Sequence, residues 1–239
     1  MMSPNVNQIV EQQIARWIAE KNRYHKPLDQ PSVLKPVVTV SRMLGSGGAD
    51  IARGVAERLG CQLMGVKLID EIANRGDVRR ELVDAMDEKA RSEVHNWLES
   101  LLAGKVFGHG DYYHFLLETV ESLSRLGSVV ILGRGAAFVP RLRPRLDVSV
   151  IAPLEHRMQR LMDREGYTRS AAQDAIRRSD GERKRFVRTL FGKEWLDPEN
   201  FDVVLNTANI GLDTAVTMIE SAWQRIVSAI HETDVYGAD

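Results

Sequence analysis

The sequence predicts an α/β fold in which helices cover both faces of a parallel sheet. Three observations predict it. The runs "VVTV" (37–40) and "VVIL" (129–132) are apolar throughout and rich in β-branched residues, as strands buried on both faces are. Segments of helical periodicity alternate with such strands along the chain. Glycine or polar turns at 45–48, 133–135 and 206–207 follow directly on strands. In such sheets those turns gather at the carboxyl edge, where ligands bind.

Taken in order, Ile9, Ile14, Trp17 and Ile18 fall at near-helical spacing, so residues 5–22 are expected to form an amphipathic helix. "YHKPLDQPSVLKP" carries three prolines and reads as a linker. Helix and linker occupy 1–35, ahead of a domain expected over 36–232. After "VVTV", a helix over Ala49–Leu59 places Ile51, Val55, Ala56 and Leu59 on one face, and Gly60 stops it. "CQLM" (61–64) is a short strand. Residues 67–104 are helical in pattern and highly charged, and 111–126 form a further helix ending at Gly127. "LDVSVIAP" is a strand, and Pro153 opens a helix that Gly166 closes, with Met158, Leu161 and Met162 on its core side. From Tyr167 to Gly192 a helix start leads into an arginine-dense helical segment. "FDVVLNT" is the last strand, and 211–230 a C-terminal helix.

The 239 residues suffice for one α/β domain with additions, or for two small domains. Lysine and arginine number 32 against 33 aspartates and glutamates, a net charge of −1, which excludes nucleic-acid binding by global basicity. From Arg134 to Arg188, however, 14 Lys/Arg face 7 Asp/Glu, a local excess of seven that points to an anionic ligand. Aromatics are few in that segment, which argues against single-stranded nucleic acid. Cys61 is alone, so no internal disulfide and no cysteine-rich metal site is expected. No signal-peptide core opens the sequence, and no run reaches the roughly 18 apolar residues of a membrane span. A cytoplasmic protein that avoids membranes is expected.

The stretch "VVTVSRMLGSGGAD" (37–50) has the layout of a phosphate-binding loop: buried strand, glycine turn, helix. Glycines let several backbone N–H groups turn inward, and the helix N-terminus adds its dipole. The usual loop also carries a lysine for the β/γ-phosphates and a Ser/Thr for Mg²⁺. Superposed on that pattern, Gly48 stands at the lysine position and Asp50 near the hydroxyl position. An ordinary strand-to-helix turn would show the same glycines.

"TVSRMLGSGGADIARGVAERLG" resembles the opening of the cytidylate kinase-like family, a divergent branch of the nucleoside monophosphate kinases, where Ser-Arg, two residues and Gly-Ser-Gly-Gly stand in this place. "VVILGRGA" (129–136), "IAPLEHRMQRLMDREG" (151–166) and "GKEWLDPENFDVVLNT" (192–207) agree in order. The resemblance covers about 36–220 and implies a three-layer P-loop kinase fold, with a five-stranded parallel sheet in the spatial order 62–64, 129–132, 37–41, 147–151, 202–206, a helical lid at about 166–192, and the N-terminal helix as an extra. It implies ATP and Mg²⁺ as cofactors and transfer of the γ-phosphoryl group to a nucleoside monophosphate, CMP-like.

Within that resemblance, Gly45, Ser46, Gly47, Gly48, Ala49 and Asp50 would hold the donor, and Asn206 and Thr207 would lie near its adenine. The missing lysine is a feature of the branch, and Arg42, at the strand end, would supply its charge as a fork rather than a point. The plainer alternative pairs Arg42 with Asp50 or a backbone carbonyl. Arg134, after a central strand, would grip the acceptor phosphate bidentately. Arg178, Arg183 and Arg185 would act among the lid cations Arg177, Arg178, Arg183, Lys184, Arg185 and Arg188, with Arg157, Arg160 and Arg164 flanking and Asp180 orienting them. Asp50 would bind Mg²⁺; the simpler reading is an acid stabilised by the helix dipole. The family's Asp-Ser pair after the second strand reads Gly65-Val66 here, leaving Asp70 as the acceptor-side acid. His109 and His114 flank Asp111, but five apart they do not share a helix face, and a metal site there is rejected. Trp195 looks buried, and the acids around it read as turn caps. The departures support a second reading: a catalytically silent nucleotide-binding module acting through a partner, with the N-terminal helix as docking or homodimer element.

Overall fold

The computed structural model describes residues 35–102 and 110–236. The expected N-terminal helix and most of its linker, and His109, lie outside the described residues. Five strands form one parallel sheet: β1 (Val37–Arg42), β2 (Gln62–Met64), β3 (Val129–Leu132), β4 (Leu146–Ile151) and β5 (Val203–Asn206). Their order is β2-β3-β1-β4-β5, as expected. Register is set by pairs such as Val38 with Val130 and Leu146, and Val150 with Leu205.

Eight helices complete the described residues: α1 (Gly48–Arg58), α2 (Val66–Asn74), α3 (Gly76–Asp84), α4 (Glu88–Leu102), α5 (Gly110–Leu126), α6 (Leu154–Glu165), α7 (Arg169–Phe191) and α8 (Leu212–Tyr236). The alternation of side chains along each strand divides the core. Val37, Val129 and Ile131 join α2–α5 on one face. Val38, Val40, Val130 and Leu132 join α1 and α8 on the other. Two expectations about helices are refined. The segment 67–104 is three helices, because Arg75 is extended (φ −105°, ψ 108°) and Asp87 opens a new helix by accepting from Ala90 N–H at 2.8 Å. The arginine-dense segment is one uninterrupted helix, α7, capped by Thr168, whose hydroxyl accepts from Ala171 N–H, and closed by left-handed Gly192.

Away from the carboxyl edge, Asp147 on β4 is wholly buried and accepts from Thr39 Oγ1 (2.5 Å), Arg145 Nε (2.8 Å) and Arg141. Arg143 donates to the Arg125 carbonyl at 3.0 Å. Three cations of the basic segment therefore hold the fold together instead of facing the ligand edge.

Candidate active site

β1 delivers Arg42 to the carboxyl edge, and the loop turns back through Gly45 (φ +79°) and Gly47 (φ +80°), conformations that suit glycine. A Cβ on Gly45 would lie 2.6 Å from the Arg157 carbonyl oxygen, so the loop is pressed against α6. A Cβ on Gly48 would lie 2.5 Å from Arg42 Cβ. The stem of Arg42 thus fills the space from which a lysine at 48 would project. The side chain crosses Gly48 and ends with its guanidinium against Gly133. It makes no ion pair with Asp50 and no side-chain hydrogen bond among the described residues. Burial, with Arg183 and Arg134 acting in the same direction, lowers its pKa to about 10.

The second glycine turn holds Arg134 between left-handed Gly133 and Gly135, itself at φ +52°, a strained value for a side-chain-bearing residue. Its guanidinium grips both oxygens of Asp70, with Nε to Oδ1 at 2.5 Å and Nη2 to Oδ2. Tyr112 Oη donates to the same Asp70 Oδ1 at 2.7 Å, and the Phe186 ring lies 5.0 Å beneath the guanidinium. The expected acceptor-side pair is brought together as a mutual clamp. No local pattern marks Tyr112, because its bond to Asp70 spans 42 positions.

On α7, Asp180 binds three elements. Oδ1 accepts from the loop's Leu44 N–H at 3.2 Å and from Arg183 Nη1 at 3.4 Å; Oδ2 accepts from Arg157 Nη1 at 2.5 Å. Arg183 sits 5.9 Å over the Trp195 ring, and Trp195 is buried, its indole N–H donating to Ser41 Oγ at 3.1 Å. Of the arginines expected to form a lid, Arg183 lies near Arg42. Arg178 and Arg185 are exposed on the far side of α7, since two residues advance a helix by about 200°. The structure does not bring them to the site.

Asp50 does not fit the role of magnesium ligand. Its Oδ2 accepts from Arg160 Nη2 at 2.7 Å and from Arg164 Nη1, and its Oδ1 from Arg53 Nη1 at 3.0 Å. Burial alone would raise its pKa, but the bonds from Arg160, Arg164 and Arg53 outweigh it and hold the carboxyl below its ordinary value. Among the described residues no group of three or more His, Cys, Asp or Glu could hold a metal ion.

Ser46 is buried and its hydroxyl donates to the Met43 carbonyl at 2.9 Å; Ala49 is exposed. Thr207 is buried too, and its hydroxyl donates to the Ser46 carbonyl at 2.8 Å, so its side chain braces the loop. Asn206 is exposed, with Oδ1 accepting from Ala208 N–H. Asp197 accepts from Glu199 N–H and caps a turn as expected.

The sequence model of the cytidylate kinase-like family matches residues 37–209. A cytidylate kinase of Pyrobaculum aerophilum is 28% identical over 186 residues, covering 75% of this chain and 88% of its own length. The crystal structure of an uncharacterized protein from Eubacterium ventriosum superposes with a TM-score of 0.56 at 20% identity, covering 80% of this chain and 99% of that one. This last likeness concerns the fold alone. Among the described residues no helix is long and apolar enough to cross a membrane.

Proposed function

The chain belongs to the cytidylate kinase-like family, and from that premise we propose that it transfers the γ-phosphoryl group of ATP to a nucleoside monophosphate, with CMP as the first acceptor to try. The observation that carries the reading is the Arg42 guanidinium: partly buried, unpartnered among the described residues, and crowded by Arg183 and Arg134. Cations held so close repel one another, and an anion between them relieves the repulsion. Phosphoryl transfer asks for positioned positive charge on oxygens, which is what this edge of the sheet supplies.

The chain's residues divide the work. The 45–48 turn and the start of α1 take the donor phosphates, and Arg42 stands in for the lysine. Arg134 turns from Asp70 to the acceptor phosphate, or shares itself between them. An acceptor phosphate oxygen attacks the γ-phosphorus, the bond to the β–γ bridging oxygen breaks, and ADP leaves with the electron pair. Arg183, carried on the 166–192 lid, offsets the charge on the transferred group. Any Mg²⁺ the transfer uses would be held by phosphate oxygens and water, and no residue is assigned to the ion. The cytidylate kinase of Pyrobaculum aerophilum supports CMP as acceptor; the Gly65-Val66 departure is a reason to test other bases in the same experiment.

The test is labelled ATP offered with a panel of nucleoside monophosphates, with products separated by chromatography. Labelled diphosphate from one acceptor is expected, and Arg42→Ala should lower its formation about a hundredfold or more with the circular dichroism unchanged. Tight ATP binding with no product from any acceptor would instead favour the silent nucleotide-binding module.

A further inference from the structure

The position that carries a metal-holding hydroxyl in the usual phosphate loop is here Ala49, and the next residue, Asp50, is a carboxylate already saturated by guanidiniums. Asp50 sits in the first turn of α1 and draws Arg160 and Arg164 across from α6. Arg160 lies against the loop itself: its guanidinium carbon is 3.3 Å from where a Cβ on Gly47 would be. Gly47 suits its left-handed φ of +80°, and a Cβ there would also lie 2.7 Å from Leu212 Cδ2. Two oxygens cannot serve three arginines and a dehydrated divalent ion together, and Mg²⁺ tolerates neither poor geometry nor crowding by cations.

The other site carboxylates are likewise taken, Asp70 by Arg134 and Asp180 by Arg157 and Arg183. The cluster holds seven arginines (Arg42, Arg53, Arg134, Arg157, Arg160, Arg164 and Arg183) against three aspartates, an excess of four positive charges. We infer that the donor-phosphate subsite at the start of α1 is a guanidinium site, in which Asp50 positions Arg160 beside Gly47 and Arg164 next to it to bind the triphosphate, so that ATP binds without Mg²⁺. The inference rests on the ATP reading above and deepens it. In this geometry Asp50 is a positioning residue: it holds two cations whose free ends are offered to the donor's oxygens.

Calorimetric titration of the whole chain with ATP, once in EDTA and once in Mg²⁺, tests this without recourse to turnover. The dissociation constant in EDTA is expected to equal that in Mg²⁺ or to be smaller. Arg160→Ala and Arg164→Ala should each weaken binding in EDTA about tenfold, the usual loss for one charge-assisted contact. The double variant Ala49→Ser, Asp50→Asn supplies the missing hydroxyl and frees the arginines, so binding should become stronger in Mg²⁺ than in EDTA by about tenfold. A merely structural clasp between α1 and α6 would not change that ratio. Binding by the unaltered chain only in Mg²⁺, or arginine variants that bind ATP as well as the parent in EDTA, would overturn the inference and leave the kinase reading standing. No binding in either condition would overturn both.

Discussion

At the scale of single residues, the missing lysine resolves into a steric exchange. Gly48 has no side chain because Arg42 occupies its side-chain space, with 2.5 Å between Arg42 Cβ and the Cβ that residue 48 would carry. One cation can occupy this place, not two. Gly48→Lys alone should therefore displace the Arg42 stem, distort the loop and lower ATP affinity at least tenfold. The double variant Arg42→Ala, Gly48→Lys vacates the space and should recover most of that loss, a coupling a double-mutant cycle on ATP binding reads directly. Additive effects would mean that the two positions do not compete. Arg42 was legible in the sequence because a strand followed by a glycine turn places its last residue at the ligand edge. The state of Asp50 was not: its partners Arg160 and Arg164 lie 110 and 114 positions away, and no local pattern carries a contact of that kind.

At the scale of elements, the sheet was legible because its central strands are buried on both faces and cannot be mistaken for amphipathic helix. Helix faces were legible where spacing was used, as for Met158 and Leu161, both buried. The same spacing separates Arg183 from Arg185 by about 200° and puts them on opposite sides of α7. What no spacing shows is that α7 is fastened to the loop by one carboxylate. Asp180 satisfies a backbone N–H of the loop, neutralises the buried Arg157 and holds Arg183 beside Arg42. Asp180→Ala would strand Arg157 as an unpaired buried cation, at a cost of about 3 kcal/mol. Urea unfolding should show that loss, and Asp180→Asn, which keeps the shape and an acceptor, should show less of it while still loosening Arg183. An unchanged midpoint in Asp180→Ala would mean that α7 docks through its apolar contacts alone.

At the scale of the whole molecule, a chain of net charge −1 gathers its positive charge at one edge of the sheet. The excess was legible as a count between Arg134 and Arg188, though Arg141, Arg143 and Arg145 turned out to serve the fold. Near two of them lies Glu121 of α5, 1% exposed, with Arg125 Nε of its own helix at 3.5 Å and Arg143 and Arg145 facing it from the approach to β4. Arg125 is shared with Glu93 of α4 at 2.7 Å. Burial raises the Glu121 carboxyl to about 7 against the pull of these arginines. The folded chain thus holds this proton more tightly than the unfolded chain does, whose glutamate titrates near 4.5. The stability this group contributes is full below about pH 4.5, declines as pH rises and is gone above about pH 7. Over that window the change amounts to about 3 kcal/mol. Glu121→Gln keeps the shape and removes the titration. Relative to the parent, it should gain stability progressively from pH 5 to pH 7 and level off beyond, as measured by urea unfolding at each pH. A difference between the two proteins that stays constant from pH 4.5 to pH 8 would show that Glu121 stays ionised in the fold, its burial fully offset by Arg125, Arg143 and Arg145.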